Sequence, residues 1–153
     1  MTEISQPKAD QTAGGVSQPR VLGVRHGMFG VPDAGDTTGY GGLVENVVFP
    51  GASPRPYGSW FDEAVDVLGE VLTEQGSSFD EAVAAVVVDR DELTLHVRRE
   101  HLLTVAQILR DDEDLRFEMS VGTSGAHYPG ESGTELHAVT HIVSVTHNRM
   151  MRL

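Results

Sequence analysis

Hydrophobic and polar positions follow a regular period only from Ser59 onward. Apolar residues recur there at helical spacing until Gly76, which predicts a first helix over about residues 60–75. Its apolar face consists of Phe61, Ala64, Val65, Leu68, Val71 and Leu72. Ser59 and Asp62 resemble a capping box at the helix start, with Asp in place of the preferred Glu.

A second helix is predicted from about Arg99 to the acidic residues 111–114, with Leu102, Val105, Ala106 and Leu109 on one face. Negative charge at a helix C-terminus opposes the helix dipole. The acidic run is therefore interpreted as a solvated turn, or alternatively as a docking surface for a basic patch on another protein. The arginines along this helix are interface candidates by the same reasoning, although exposed surface arginines are commoner.

The other regular segments have the composition of strands. Their positions are residues 83–88, 93–97, about 115–121 and about 136–146. Residues 122–133, which contain Gly and Ser, are expected to form a loop, and a turn at His147 and Asn148 precedes the start of one more strand. The order α-β-β-α-β-β indicates an α+β fold in which two helices pack on a mostly antiparallel sheet.

The chain before this domain is rich in Gly and Pro. Residues 1–58 contain 11 of the 17 glycines and 6 of the 7 prolines, so few regular elements are expected there. Residues 1–20 have the composition of a disordered tail. Residues 21–58 are too apolar for a solvated linker and too rich in Gly for a helix. They predict an extended arm that wraps a partner chain, followed by an α+β domain over residues 59–153.

Charge and cysteine content exclude several classes of function. The net charge of −12 argues against nucleic acid as the main partner, because binding to phosphates requires clustered cations. The absence of cysteine excludes disulfides and cysteine-ligated zinc or iron–sulfur sites in this chain. The longest apolar run, residues 82–88, is too short to span a bilayer, and the N-terminus lacks the features of a secretory signal. A soluble, intracellular protein is expected.

The histidines suggest a metal site, but their spacing in a strand argues against it. His137 and His141 are four positions apart, which in a strand separates them by ~13 Å along one face, too far to share a metal ion. His147 is farther still. We therefore expect these histidines to lie on a semi-polar sheet face covered by a neighbouring subunit, and His96 and His101 to be solvated.

No motif for nucleophilic catalysis or phosphate binding is complete. A nucleophile elbow requires Gly both two positions before and two positions after the Ser. Ser124 and Ser132 each have only the first of these glycines. The glycines of TGYGGL, residues 38–43, do not lead from a strand into a helix, and no GK[ST] motif occurs. The sequence thus predicts no catalytic, cofactor-binding or metal-binding residue.

The second part of the chain resembles a known family. DELTLHV, LLTVAQILRDDEDLRFEM and, after an insertion, ELHAVTHIVSVTHNRMMRL are similar to the core of the 30 kDa subunit family of respiratory complex I, which in bacteria is the C subunit of the NADH-quinone oxidoreductase. The match is closest at residues 109–117 and 139–153, covers roughly the last 65 residues well and the preceding helix and strand loosely, and does not include the Gly-rich arm. The family's acidic Glu-Arg-Glu signature is missing, so we expect a chain truncated before that signature.

The resemblance implies a structural role in the peripheral arm of a proton-translocating enzyme, on the cytoplasmic face of the cell membrane. Such subunits carry no catalytic residue, flavin, iron–sulfur cluster or quinone. The FMN and the clusters belong to partner subunits, and the main neighbour is the D subunit, which helps to form the quinone site. Electrons pass from NADH to quinone through those partners.

Two other functions remain open on the sequence. One is a stand-alone, metal-dependent α+β enzyme that uses His137 or His141 with nearby carboxylates. The other is an adaptor domain of a different assembly. Metal content and the identity of co-purifying proteins distinguish both from a respiratory subunit.

Overall fold

The computed structural model describes residues 18–30, 42–128, 133 and 135–153. The elements in chain order are β1 (Arg20–His26), β2 (Val44–Phe49), α1 (Phe61–Glu74), α2 (Phe79–Ala82), β3 (Val83–Asp89), β4 (Glu92–Val97), α3 (Leu102–Asp111), β5 (Met119–His127), β6 (Leu136–Ser144) and β7 (Arg149–Arg152), with a 3₁₀ turn at Arg99–His101 before α3. The predicted tail, residues 1–20, lies outside the described residues except at its end. The predicted α+β class is confirmed.

Helix α1 forms where its apolar spacing predicts it, and its apolar face is buried. Gly76 ends the helix with a φ of 80°. The N–H groups of Gly76 and Ser77 donate to the carbonyls of Thr73 and Leu72 at 3.0 and 2.9 Å. The prediction that Ser59 caps the helix is wrong. Trp60 is the residue at the cap position and its side chain makes no capping hydrogen bond, while Ser59 adopts a φ of 51°.

Strands β3 to β7 form one sheet in the order β3-β4-β7-β6-β5. Strand β7 lies between β4 and β6, parallel to β4 and antiparallel to β6, and the other pairs are antiparallel. The sheet is thus mostly antiparallel, as predicted. The strand expected after the turn at His147 and Asn148 is β7, which covers Arg149–Arg152. Helix α2 is an additional short helix that the pattern did not predict.

The prediction of a strand over about residues 115–121 followed by a loop over residues 122–133 is wrong in its boundaries. Strand β5 begins at Met119 and includes residues 122–127, which were expected to form a loop. The Gly and Ser content of this segment is typical of loops, but pairing with β6 along the whole strand overrides that weak preference. Leu115 and Phe117, expected in the strand, are instead buried in the connection that precedes it.

Helices α1 and α3 pack on one face of the five-stranded sheet. The side chains that are less than 2% exposed include Leu68, Leu72, Leu93, Leu95, Leu109, Leu115 and Met151. Because Leu93, Leu95, Ile142 and Met151 point into this core, the residues that alternate with them point to the opposite face, which we call the helix-free face.

The Gly/Pro-rich segment contains two strands, although few regular elements were expected there. Strands β1 and β2 pair antiparallel as a separate two-stranded ribbon, with an irregularity between Val21 and Gly23. The valines of both strands favour extended structure, and the antiparallel pairing supplies the backbone hydrogen bonds that the composition does not indicate.

Candidate interaction surface

The β1–β2 ribbon exposes valines along one of its faces. Val21 lies opposite Val48, and Val24 lies opposite Asn46 because the register shifts by one residue between Val21 and Gly23. Since Val48, Asn46 and Val44 alternate along β2, all four valines point to the same side. Their exposed fractions lie between 39% and 59%. We call these four residues the valine face. A two-stranded ribbon is marginally stable in water, so an apolar face left open on it is typical of a surface that another chain covers.

The tip of the ribbon extends the same apolar character. Met28 and Phe29 follow β1 and are 56% and 74% exposed, and Leu43 precedes β2 with 56% exposed. The Gly27 N–H donates to the Leu43 carbonyl at 2.9 Å, which joins the two strand ends. The exposed apolar surface therefore continues from the valine face to the tip.

The opposite face of the ribbon attaches to the five-stranded sheet through Phe49, which is 6% exposed. Its ring lies 5.1 Å from the Tyr128 ring, 5.8 Å from His96 and 6.4 Å from His137, centroid to centroid. The Arg20 guanidinium lies 5.5 Å from the centre of the Phe49 ring. Phe49 thus links β2 to the helix-free face.

The connection after β2 covers one edge of the sheet. The Ser53 N–H donates to the Val86 carbonyl at 2.8 Å, and the Val88 N–H donates to the Ser53 hydroxyl oxygen at 2.8 Å. Gly51 approaches the backbone of Gln18 so closely that a Cβ at this position would lie 2.5 Å from the Gln18 carbonyl carbon. The segment that leads into β1 is therefore packed against the segment that leaves β2.

The turn before α1 is held by a carboxylate. Asp62 accepts hydrogen bonds from the N–H groups of Tyr57 and Gly58 at 3.1 and 2.8 Å. These bonds, with the nearby Arg55 charge, hold the pKa of Asp62 below its ordinary value. The same Arg55 pairs with Asp66 at 2.6 Å. This network fixes the chain where the arm joins the α+β domain.

The structure separates the three histidines that suggested a metal site. His137 lies against His96, with ring centroids 6.4 Å apart, and against Tyr128 at 4.9 Å. His141 lies opposite Arg152 in the sheet, and the Nε2 atom of His147 lies 3.3 Å from the Glu113 carbonyl oxygen. Within the described ranges no three His, Asp or Glu side chains converge on a point that could hold a metal ion.

His96 corrects the prediction of a solvated side chain. It is half-buried because its ring packs against those of Phe49 and His137, 5.8 and 6.4 Å away between centroids. Sequence reasoning missed this aromatic cluster of Phe49, His96, Tyr128 and His137, since its members come from four separate segments. The alternation of Thr94 and His96 with apolar residues in β4 indicated only that His96 points away from the core.

The other candidate residues lie apart from one another. Ser124 is an exposed residue within β5, whereas Ser132 and all of TGYGGL except Gly42 and Leu43 fall outside the described residues. The Arg110 guanidinium binds the Asp111 carboxylate through two hydrogen bonds of 2.6 and 2.7 Å and lowers the Asp111 pKa. The Asp112 carboxylate accepts a bond from the Asp114 N–H at 3.0 Å. The acidic run thus forms the exposed turn predicted for it.

None of the helices in the described ranges has both the length and the apolar character needed to span a bilayer. The fold and the exposed ribbon together define a small α+β domain with an apolar arm, which is typical of a protein that binds other chains.

Comparison with known proteins identifies the family. Residues 95–153 match the family described as respiratory-chain NADH dehydrogenase, 30 Kd subunit. The chain is 58% identical over 139 residues to the NADH-quinone oxidoreductase C subunit of Mycobacterium ulcerans strain Agy99. The aligned region covers 91% of this chain and 58% of that protein. The chain belongs to the 30 kDa subunit family, as its resemblance predicted.

Two further relatives have the same name. The protein of Nocardia farcinica strain IFM 10152 is 53% identical over 155 residues, covering 97% of this chain and 61% of the relative. That of Mycobacterium tuberculosis strain CDC 1551 is 56% identical over 152 residues, covering 98% of this chain and 64% of the relative. The chain therefore spans about three fifths of the length of the curated relatives it matches.

Proposed function

We propose that this chain is a structural, non-redox subunit of the peripheral arm of a proton-translocating NADH-quinone oxidoreductase. The names of its relatives support the assembly. The absence of cysteine supports the non-redox role, because cysteine thiolates are the ligands of most iron–sulfur clusters. In this proposal partner subunits hold the FMN, the clusters and the quinone.

The observation on which the proposal depends is the valine face. Four valines on one side of a two-stranded ribbon remain 39–59% exposed, and the adjoining tip exposes Phe29 by 74%. Burial of such surface contributes roughly 25 cal/mol per Å² of apolar area removed from water. The ribbon belongs to the predicted arm, residues 21–58, and we assign it the role of binding a neighbouring subunit.

The partner we propose for the ribbon is the D subunit, which helps to form the quinone site, and the position we propose is the cytoplasmic face of the membrane. Both follow from what the family resemblance implies. The acidic character of this chain, with a net charge of −12, also favours neighbours that are less acidic at the contact.

Replacing one valine of the ribbon tests the proposal. Val48→Glu places a charge on the valine face, where an assembled neighbour would have to bury it without a partner. We expect recovery of this chain with tagged NADH-quinone oxidoreductase subunits to fall about tenfold or more, which corresponds to at least about 1.4 kcal/mol.

The matched control is Leu103→Glu, which introduces the same charge at another exposed apolar position, 70% exposed and located on α3. Its recovery should stay at the wild-type level, and both variants should retain the wild-type circular dichroism spectrum. If Val48→Glu and the wild-type chain were recovered equally well, the ribbon would not be part of the interface. Failure of the wild-type chain to associate with any oxidoreductase subunit would refute the proposed function itself.

A further inference from the structure

The two edges of the five-stranded sheet differ. At one edge, β3 is covered by Ser53, which hydrogen-bonds to Val86 and Val88. At the other edge, β5 pairs with β6 and with no other strand in the part of the chain that the structure describes. An edge strand of this kind presents a row of backbone N–H and C=O groups to the outside.

The phase of the ladder shows which backbone groups face outward. The Tyr128 N–H donates to the Glu135 carbonyl at 2.8 Å, so this pair is hydrogen-bonded. Pairs in an antiparallel ladder alternate, and Thr123, Gly125 and His127 therefore belong to the pairs that are not bonded to β6. Thr140, which lies opposite Thr123, uses its N–H and C=O in two 2.9 Å bonds to Leu153 on its other side, which agrees with this phase.

Strand β5 also carries few of the features that protect sheet edges. Soluble proteins protect such edges with Lys or other charged residues, with Pro, with short strands, or with β-bulges. The β5 sequence MSVGTSGAH has nine residues and contains no Lys, Arg, Asp, Glu or Pro. One irregularity, between Ser120 and Gly122, lies near its beginning and leaves the ladder from 122 to 127 continuous. A Cβ added at Gly125 would meet no atom within 4 Å.

A second copy of this chain is a poor occupant for this edge, because each copy has a net charge of −12 and the two would repel. We infer that β5 accepts an extended, uncharged segment of a less acidic neighbouring subunit, which adds a sixth strand to the sheet through the outward groups of Thr123, Gly125 and His127. This inference rests on the proposed function, since it names how one neighbour is bound.

Amide hydrogen exchange tests the inference without a substitution. In the isolated chain, the outward amides of Thr123, Gly125 and His127 should exchange fast, whereas those of Ser124 and Ala126, which bond to β6, should exchange slowly. In the assembled oxidoreductase the outward amides should slow by about tenfold or more, because a bonded amide exchanges only when its bond opens.

A pair of variants at one position adds a second measurement. Gly125→Pro removes one outward N–H and no bond to β6, and Gly125→Ala keeps that N–H while adding a Cβ in open space. We expect Gly125→Pro to weaken association with the oxidoreductase by about tenfold and Gly125→Ala to leave it unchanged. Unchanged thermal unfolding of both variants would show that the loss is one of binding.

Several outcomes would overturn the inference. Outward amides that stay fast in an assembly containing this chain would show that the proposed function holds but that β5 is not the contact. Amides that are already slow in the dilute isolated chain would mean that another segment of the same chain covers the edge. Protection that appears with rising concentration of the chain alone would identify a second copy as the occupant.

Discussion

Leu68 lies at the centre of the apolar face of α1 and is fully buried between the helix layer and the sheet. Its burial can be predicted from the local sequence alone. The helical spacing of apolar residues marks the inward side of α1, and the sheet needs a cover on one face. Residues of this kind can be assigned to the core from their spacing alone.

Truncation of Leu68 should therefore destabilise the protein strongly. We expect Leu68→Ala to lower the free energy of unfolding by about 2–5 kcal/mol, because the substitution removes buried apolar surface and leaves a cavity. Urea denaturation measures the change. Glu70→Ala, at an exposed position of the same helix, is the control and should change the stability by no more than about 0.5 kcal/mol.

Asp62 connects stability to pH. Its pKa is lowered in the folded protein by the N–H groups of Tyr57 and Gly58 and then by the Arg55 charge. When folding lowers the pKa of a carboxylate, the carboxylate stabilises the folded protein at any pH above its pKa in the unfolded chain, here near 3.8. That contribution is lost as the pH falls through the pKa of the folded protein.

We expect the stability of the wild-type chain to fall below about pH 4, and Asp62→Asn to be less stable at neutral pH but to lose less on acidification. Denaturant midpoints of both proteins, measured between about pH 2 and pH 7, test this expectation. Asp80→Asn, which removes an exposed charge near the start of α2, controls for net charge. Parallel pH curves for wild type and Asp62→Asn would contradict the expectation.

At the scale of elements, the ribbon and strand β5 show where sequence patterns are insufficient. Gly and Pro between residues 20 and 58 argued against regular structure, and Gly and Ser in residues 122–127 argued for a loop. Both segments form strands because a partner strand elsewhere in the chain supplies hydrogen bonds and register. Helix α1, whose signal is contained within its own sequence, was predicted almost to the residue.

Phe49 should control the position of the ribbon. Within the described part of β1 and β2, it is the residue that is buried, and it contacts a ring from β4, a ring from β6 and the ring of Tyr128, which follows β5. Phe49→Ala should raise amide exchange in β1 and β2 by at least about tenfold and leave exchange in α1 unchanged.

Hydrogen exchange followed by mass spectrometry of peptides 20–26, 44–49 and 61–74 gives the comparison. Val48→Ala, one position away on the exposed side, is the control and should leave all three peptides near wild type. An equal increase in all three for Phe49→Ala would mean that the ribbon and the domain unfold as one unit.

At the scale of the whole molecule, the candidate surface could be predicted only in outline. The apolar content of residues 21–58 indicated an arm that contacts a partner, but only the pairing of β1 with β2 sorts its valines onto one exposed face. The aromatic cluster around Phe49 was not predictable, since long-range topology brings its members together. The family, in contrast, was recognisable from short stretches of sequence in and around α3, β6 and β7.

The central place of β7 has a consequence for how the domain folds. Strands β3 and β4, and strands β5 and β6, are hairpins of neighbouring segments that can form early, because little chain entropy is lost in closing them. The sheet becomes one unit only when β7 enters between β4 and β6 and pairs with both. The cooperativity of the whole sheet therefore depends on the pairing of β7 with both of its neighbours, and the slowest contacts to form are those between β7 and the distant strand β4.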